Sequence, residues 1–288
     1  MNDDPRPIGV FDSGIGGLTT VRELFQCLPG ESVVYFGDTA RLPWGNKSKD
    51  TVTRFSVEIA SFLVRQHVKC VVVACNTASS HALDALRERF DVPVIGVIEP
   101  AARAAIAASP RGRIGVVGTL ATVGSRAYAD AITRLAPTAQ VQQQACPLFV
   151  PLVEEGWLDH RVTRMVTEEY LAGLRAADLD SLILGCTHYP LLAPALRDYM
   201  GPSVTLIDSG AEAARATAAL LRERGMLAPA GAVPEPHFFL SDEPRRRSFA
   251  SVAESFLGRP LPKVTVVDQT DLPWFERLHG DDTTSTPE

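Results

Sequence analysis

Apolar and β-branched residues recur along this chain in short unbroken runs, at residues 8–11, 33–36, 70–74, 94–97, 114–117, 182–184 and 204–207. Runs of that length without polar alternation predict strands buried on both faces, as in a parallel sheet. Between them the spacing becomes helical. Phe55, Ile59, Phe62 and Leu63 fall at i, i+4, i+7 and i+8, the apolar stripe of one helix. Strand alternating with helix predicts an α/β fold made by crossover connections.

The pattern also repeats. Ile8-Gly9-Val10-Phe11-Asp12-Ser13 is echoed by Ile114-Gly115-Val116-Val117-Gly118-Thr119, and Val73-Ala74-Cys75-Asn76-Thr77 by Leu184-Gly185-Cys186-Thr187-His188, at nearly one offset. Two related α/β halves follow, each a mainly parallel sheet flanked by helices. Two long units are too few and too large for a solenoid. The first domain is expected over residues 1–98 and 208–270, hence discontinuous, and the second over 99–207. Beyond the second half the pattern predicts a helix over 210–224, a Pro/Ala/Gly linker over 228–236, a strand at 237–240 and a helix near 248–256. The polar end, 280–288, is expected to be disordered.

Composition narrows the function classes. The 288 residues are 45% hydrophobic and 22% charged, an ordinary globular balance. A net charge of -6 without a long Lys/Arg run argues against a nucleic-acid binder. Arg245, Arg246 and Arg247 form the one basic cluster, read as the solvated start of a late helix. The polar first residues do not read as a signal peptide, and no run approaches the roughly 18 apolar residues of a membrane span. A cytoplasmic location is therefore expected, with the five cysteines as free thiols.

Ligands in open α/β sheets bind at the carboxyl ends of the strands. Asp12-Ser13, Cys75-Asn76-Thr77, Gly118-Thr119 and Cys186-Thr187-His188 all fall at such ends, and Gly37-Asp38 forms a fifth. Asp12 to Gly17 looks like a phosphate loop, but the dinucleotide fingerprint needs glycine where Thr19 stands. A tight turn whose N–H groups bind a carboxylate is the alternative. A lone cysteine is most often a small buried apolar residue, which suits Cys27 and Cys70 and leaves Cys146 undecided. The repeated context sets Cys75 and Cys186 apart, each expected near a helix start, where the dipole lowers a thiol's pKa. Rival readings are a metal site at Cys186 and His188, without the usual paired spacing, and a Cys–His hydrolase, which leaves one cysteine unexplained. A non-catalytic amino-acid-binding module needs neither thiol.

The segments from Phe11 to Thr19, from Ala74 to Ser79 and from Leu184 to Pro190 resemble the signatures of bacterial glutamate racemases, within the aspartate/glutamate racemase family. Gly37-Asp38-Thr39-Ala40-Arg41 with Pro43-Trp44-Gly45, and Pro151-Leu152-Val153-Glu154-Glu155-Gly156, resemble two more. The resemblance runs in order over roughly residues 8–225. The related aspartate racemases are less similar around Asp12-Ser13 and Pro43. The resemblance implies two pseudo-symmetric α/β domains with the active site in the cleft between them, and no cofactor or metal. It implies interconversion of L- and D-glutamate, which supplies D-glutamate for peptidoglycan, with Cys75 taking the proton from D-glutamate and Cys186 from L-glutamate. Asp12 is the candidate helper of Cys75, and Glu154 and His188 of Cys186. Asp12, Ser13, Pro43, Trp44, Gly45, Asn76, Thr77, Thr119, Thr187 and His188 would form the substrate site. Trp44 stands where the family usually has Tyr. A homodimer is expected. Some glutamate racemases inhibit DNA gyrase, which leaves gyrase as a remote partner that nothing in the sequence indicates. Members regulated by a cell-wall precursor tend to carry a longer segment before the first strand, so that regulation is not expected.

Overall fold

The computed structural model describes residues 3–242, 249–270 and 273–276. Its strands are β1 (Ile8–Asp12), β2 (Val33–Gly37), β3 (Cys70–Val73), β4 (Val94–Gly96), β5 (Arg113–Gly118), β6 (Gln140–Ala145), β7 (Ser181–Gly185), β8 (Thr205–Asp208), β9 (His237–Leu240) and β10 (Val264–Val266). Each of the seven apolar runs coincides with a strand to within one residue at either end. They form two sheets with every pairing parallel, one of order β10-β9-β2-β1-β3-β4 and one of order β6-β5-β7-β8. The four-strand order β2-β1-β3-β4 recurs as β6-β5-β7-β8, so the repeat seen in the sequence is a repeat of topology. Helices cover the faces, which is why the central strands are buried throughout.

The first sheet packs Phe11, Phe36, Ile59 and Phe62 into one apolar layer with Trp274. Each such side chain, fully buried, contributes about 1.5–3 kcal/mol. The helix expected from the Phe55 stripe runs Lys49–Arg65, with Ser48 accepting from Thr51 N–H as its cap. The helix expected over 210–224 is Ser209–Glu223, capped by Asp208. It lies between the first sheet's helix Leu18–Cys27 and the second's helix Ile98–Ala107. The late helix is Phe249–Leu257. Arg245 to Arg247, Ser248 and the tail 280–288 lie outside the described residues. No helix among the described residues is long and apolar enough to cross a membrane.

Register places the two cysteines alike. Val73 pairs with Phe11, and Leu184 with Val117. Two residues beyond each pair stand Cys75 opposite Ser13, and Cys186 opposite Thr119. The loops that carry them converge.

Candidate active site between the two sheets

The converging loops enclose a cavity of about 720 Å³, within the usual size of a small-molecule site. Ser13, Pro43, Trp44, Gly45, Asn76, Thr77, Thr119, Glu154, Thr187 and His188 line it, together with both Cys75 and Cys186. Asp12 is the sequence candidate that does not reach the wall. It lies buried behind the loop, and its Oδ2 accepts from Gly14 N–H at 3.0 Å.

Each thiol has its own surroundings. Cys75 caps the helix Asn76–His81, its sulfur accepting from Ala78 N–H at 3.5 Å. It also donates to Ser13 Oγ at 3.6 Å, so Ser13 meets the thiol and does not cap the following helix. Cys186 instead has His188 Nδ1 at 3.9 Å, and His188 Nε2 lies 3.3 Å from Glu154 Oε1. Phe256 packs edge-on against the imidazole, with ring centroids 5.0 Å apart.

Gly16, in the turn that looks like a phosphate loop, and Gly45 both serve close approach. A Cβ on Gly16 would lie 2.6 Å from His188 Nδ1, and one on Gly45 would lie 2.9 Å from Thr119 Cβ. Both contacts join loops of the two sheets, and no side chain larger than hydrogen fits. Across the same seam Thr77 Oγ1 lies 3.0 Å from Thr119 Oγ1 and 3.3 Å from Thr122 Oγ1.

The fifth strand-end cluster is structural. Asp38 is fully buried and holds the loop that carries Pro43, Trp44 and Gly45. It accepts from Ser241 Oγ at 2.8 Å, Arg41 Nε at 2.8 Å and Trp44 Nε1 at 3.2 Å. The indole is held by Asp38 and packs against the half-buried Phe55, in a residue that is 1% exposed.

Residues 8–217 match the family model described as Asp/Glu/Hydantoin racemase. The chain belongs to this racemase family. A curated glutamate racemase from Geobacter metallireducens is 51% identical over 259 residues, covering 90% of this chain and 95% of that protein. The solved glutamate racemase from Bacillus anthracis superposes with a TM-score of 0.87 at 40% identity, covering 92% of this chain and 98% of that one. The solved glutamate racemase from Francisella tularensis in complex with D-glutamate superposes with a TM-score of 0.85 at 39% identity, covering 92% and 98%.

For a racemase the charge states of the two thiols matter most. Burial, reinforced by the Asp12 charge, pushes the Cys75 thiol up to about 12. This corrects the expectation that its helix start lowers it: the Ala78 N–H bond acts in that direction and is outweighed. Burial raises Asp12 too, against the pull of His188. On the other side, burial alone would lower His188, but its hydrogen bonds with Cys186 and Glu154 raise it to about 10. At neutral pH Cys75 is a thiol, and Cys186 faces an imidazolium held by a carboxylate. Cys146, left open by the sequence, is buried and bonded to the Gln144 carbonyl, and burial raises its thiol. Among the described residues no group of three or more His, Cys, Asp or Glu is placed to hold a metal.

Sequence reading missed Thr122, Phe256 and Tyr128, whose hydroxyl meets Asn76. Thr122 follows Thr119 at capping spacing and accordingly donates its N–H to Thr119 Oγ1. The other two carry no local signal.

Proposed function

We propose that the protein interconverts L- and D-glutamate by passing the α-proton between two thiols. One observation carries this reading: Cys75 and Cys186 open on the same cavity from equivalent ends of two repeated sheets. Racemisation removes a proton from one face of Cα and returns one to the other, so opposed acid/base groups meet the need. In the L-to-D direction Cys186, as thiolate beside the imidazolium, takes the α-proton while the Cys75 thiol gives its own to the opposite face. The roles exchange in the D-to-L direction. His188 steadies charge on the Cys186 sulfur, Glu154 holds the His188 ring, and Asp12 acts on Cys75 through its field and through the Ser13 loop.

The α-proton is weakly acidic, so the cavity must stabilise a carbanion-like transition state by electrostatics and exclusion of water. Backbone N–H groups near Ser13, Gly45, Asn76 and Thr187, with the hydroxyls of Thr77 and Thr119, supply donors for the substrate carboxylates. The product D-glutamate would serve peptidoglycan synthesis in the cytoplasm. The domain division 1–98 with 208–270 against 99–207 is part of the same proposal, supported by sheet membership. So is a homodimer, which sedimentation velocity measures.

The test is a circular-dichroism racemisation assay with Glu, Asp and Ala and no added cofactor. Loss of signal with glutamate and none with alanine is expected. Activity on aspartate but not glutamate would contradict the substrate assignment.

A further inference from the structure

Tyr128 lies on the helix Ala127–Leu135, behind the second sheet's side of the cavity, and is fully buried. Its hydroxyl donates to Asn76 Oδ1 at 2.6 Å, across the seam between the two halves. Asn76 is itself 2% exposed and lines the cavity. Its Nδ2 is buried and has no hydrogen-bond partner among the described residues. A primary amide can be turned either way about its last bond, offering a carbonyl on one side and two N–H groups on the other. An unmet buried donor is costly to keep. The tyrosine occupies the carbonyl, so the amide's unmet side is its donor side.

We propose that Tyr128 is a positioning residue for the substrate, fixing the Asn76 amide so that its NH2 group receives a substrate carboxylate. An ionised carboxylate only accepts hydrogen bonds, and two N–H groups complement it. With the hydroxyl removed, the amide turns freely. Half of its orientations then present a carbonyl oxygen to an anion. The inference rests on the glutamate reading for the identity of the ligand.

The experiment is a double-mutant cycle with Tyr128→Phe and Asn76→Ala. It is read both as KM and kcat for the two enantiomers and as the dissociation constant of D-glutamate by calorimetry. Tyr128→Phe is expected to weaken binding and raise KM about tenfold, the scale of one hydrogen bond to a charged group, with kcat within about twofold. The two enantiomers are equally stable, so kcat/KM must fall equally in both directions. In the Asn76→Ala background the same change is expected to have less than about a twofold effect, because coupled residues are non-additive. An unchanged dissociation constant, or an equal effect in both backgrounds, would overturn the assignment. If the unaltered chain binds glutamate without racemising it, the proposed function falls and the binding cycle still decides the role of Tyr128. If it neither binds nor turns over glutamate, both fall. Should Tyr128→Phe fail to fold, Asn76→Asp carries the test. It keeps an acceptor for Tyr128 but removes the donor, so at least about tenfold weaker binding is expected and unchanged binding would overturn the proposal.

Discussion

His188 Nδ1 lies 3.9 Å from the sulfur of Cys186, whereas the side chain hydrogen-bonded to Cys75 is the Ser13 hydroxyl, at 3.6 Å. The two halves repeat in topology but differ in charge. One thiol faces a cation, while the other faces a hydroxyl and a buried carboxyl. The reaction is symmetric in its substrates, so this asymmetry belongs to the protein and shows in pH dependence and thiol reactivity.

His188 is raised from its ordinary 6.5 to about 10. Its favourable interactions with Cys186 and Glu154 are therefore fully present below 6.5 and are lost as pH rises through about 10. The kcat of L-glutamate racemisation is expected to fall on that alkaline limb. Glu154→Gln removes the carboxylate partner, so the limb should move to lower pH and kcat should drop by about a hundredfold, the lower end of what positioned acid–base groups supply. Initial rates across pH, with enzyme integrity checked at each point, measure this. An unmoved limb would remove Glu154 from the relay.

Thiolates, not thiols, are alkylated. With Cys75 pushed up to about 12 and Cys186 beside an imidazolium, iodoacetamide at neutral pH should label Cys186 first, by about tenfold or more. Saturating glutamate should protect it. Peptide mass mapping of the labelled protein reads the order, and preferential labelling of Cys75 would contradict its raised thiol.

Gly16 is closed to side chains because a Cβ there would lie 2.6 Å from His188 Nδ1. Gly16→Ala should leave the fold intact and lower kcat/KM by about a hundredfold, as misplacement of a catalytic group by about 1 Å does. Far-ultraviolet circular dichroism and the racemisation assay check the two halves of that statement.

Lys69 and Glu31 form a buried ion pair at 2.5 Å, and neither lines the cavity. Lys69 Nζ also donates to the Asp4 carbonyl, and Glu31 accepts from Ala228 N–H. Lys69→Met leaves a buried carboxylate without its cation, which costs about 3–5 kcal/mol. Chemical denaturation should show that loss, with kcat of the folded enzyme unchanged.

The central strands and both cysteines were legible because strands buried on two faces must be continuously apolar, and because the context of each cysteine occurs twice. β6 was not legible. Its sequence, Gln140-Val141-Gln142-Gln143-Gln144-Ala145, is that of a partly exposed edge strand, where packing does not demand apolar residues. β10, also an edge, is exposed at Thr265 and Val266. The pairs Glu154–His188 and Tyr128–Asn76 join residues distant along the chain, and local pattern holds no trace of such partners. The charge state of Cys75 was misread for a related reason. Its helix start is local and visible, whereas its burial and the nearness of Asp12 are products of the whole fold.

Racemisation of L-glutamate in deuterium oxide, stopped at low conversion, tests the two-thiol account most directly. The protonating thiol has exchanged with solvent before substrate binds, and the abstracting thiol carries the substrate's own proton. The account predicts deuterium at Cα of the D-glutamate formed and none in the recovered L-glutamate. Label entering L-glutamate as fast as D-glutamate appears, or D-glutamate that keeps the original hydrogen, would show one base working on one site and contradict the roles of Cys75 and Cys186.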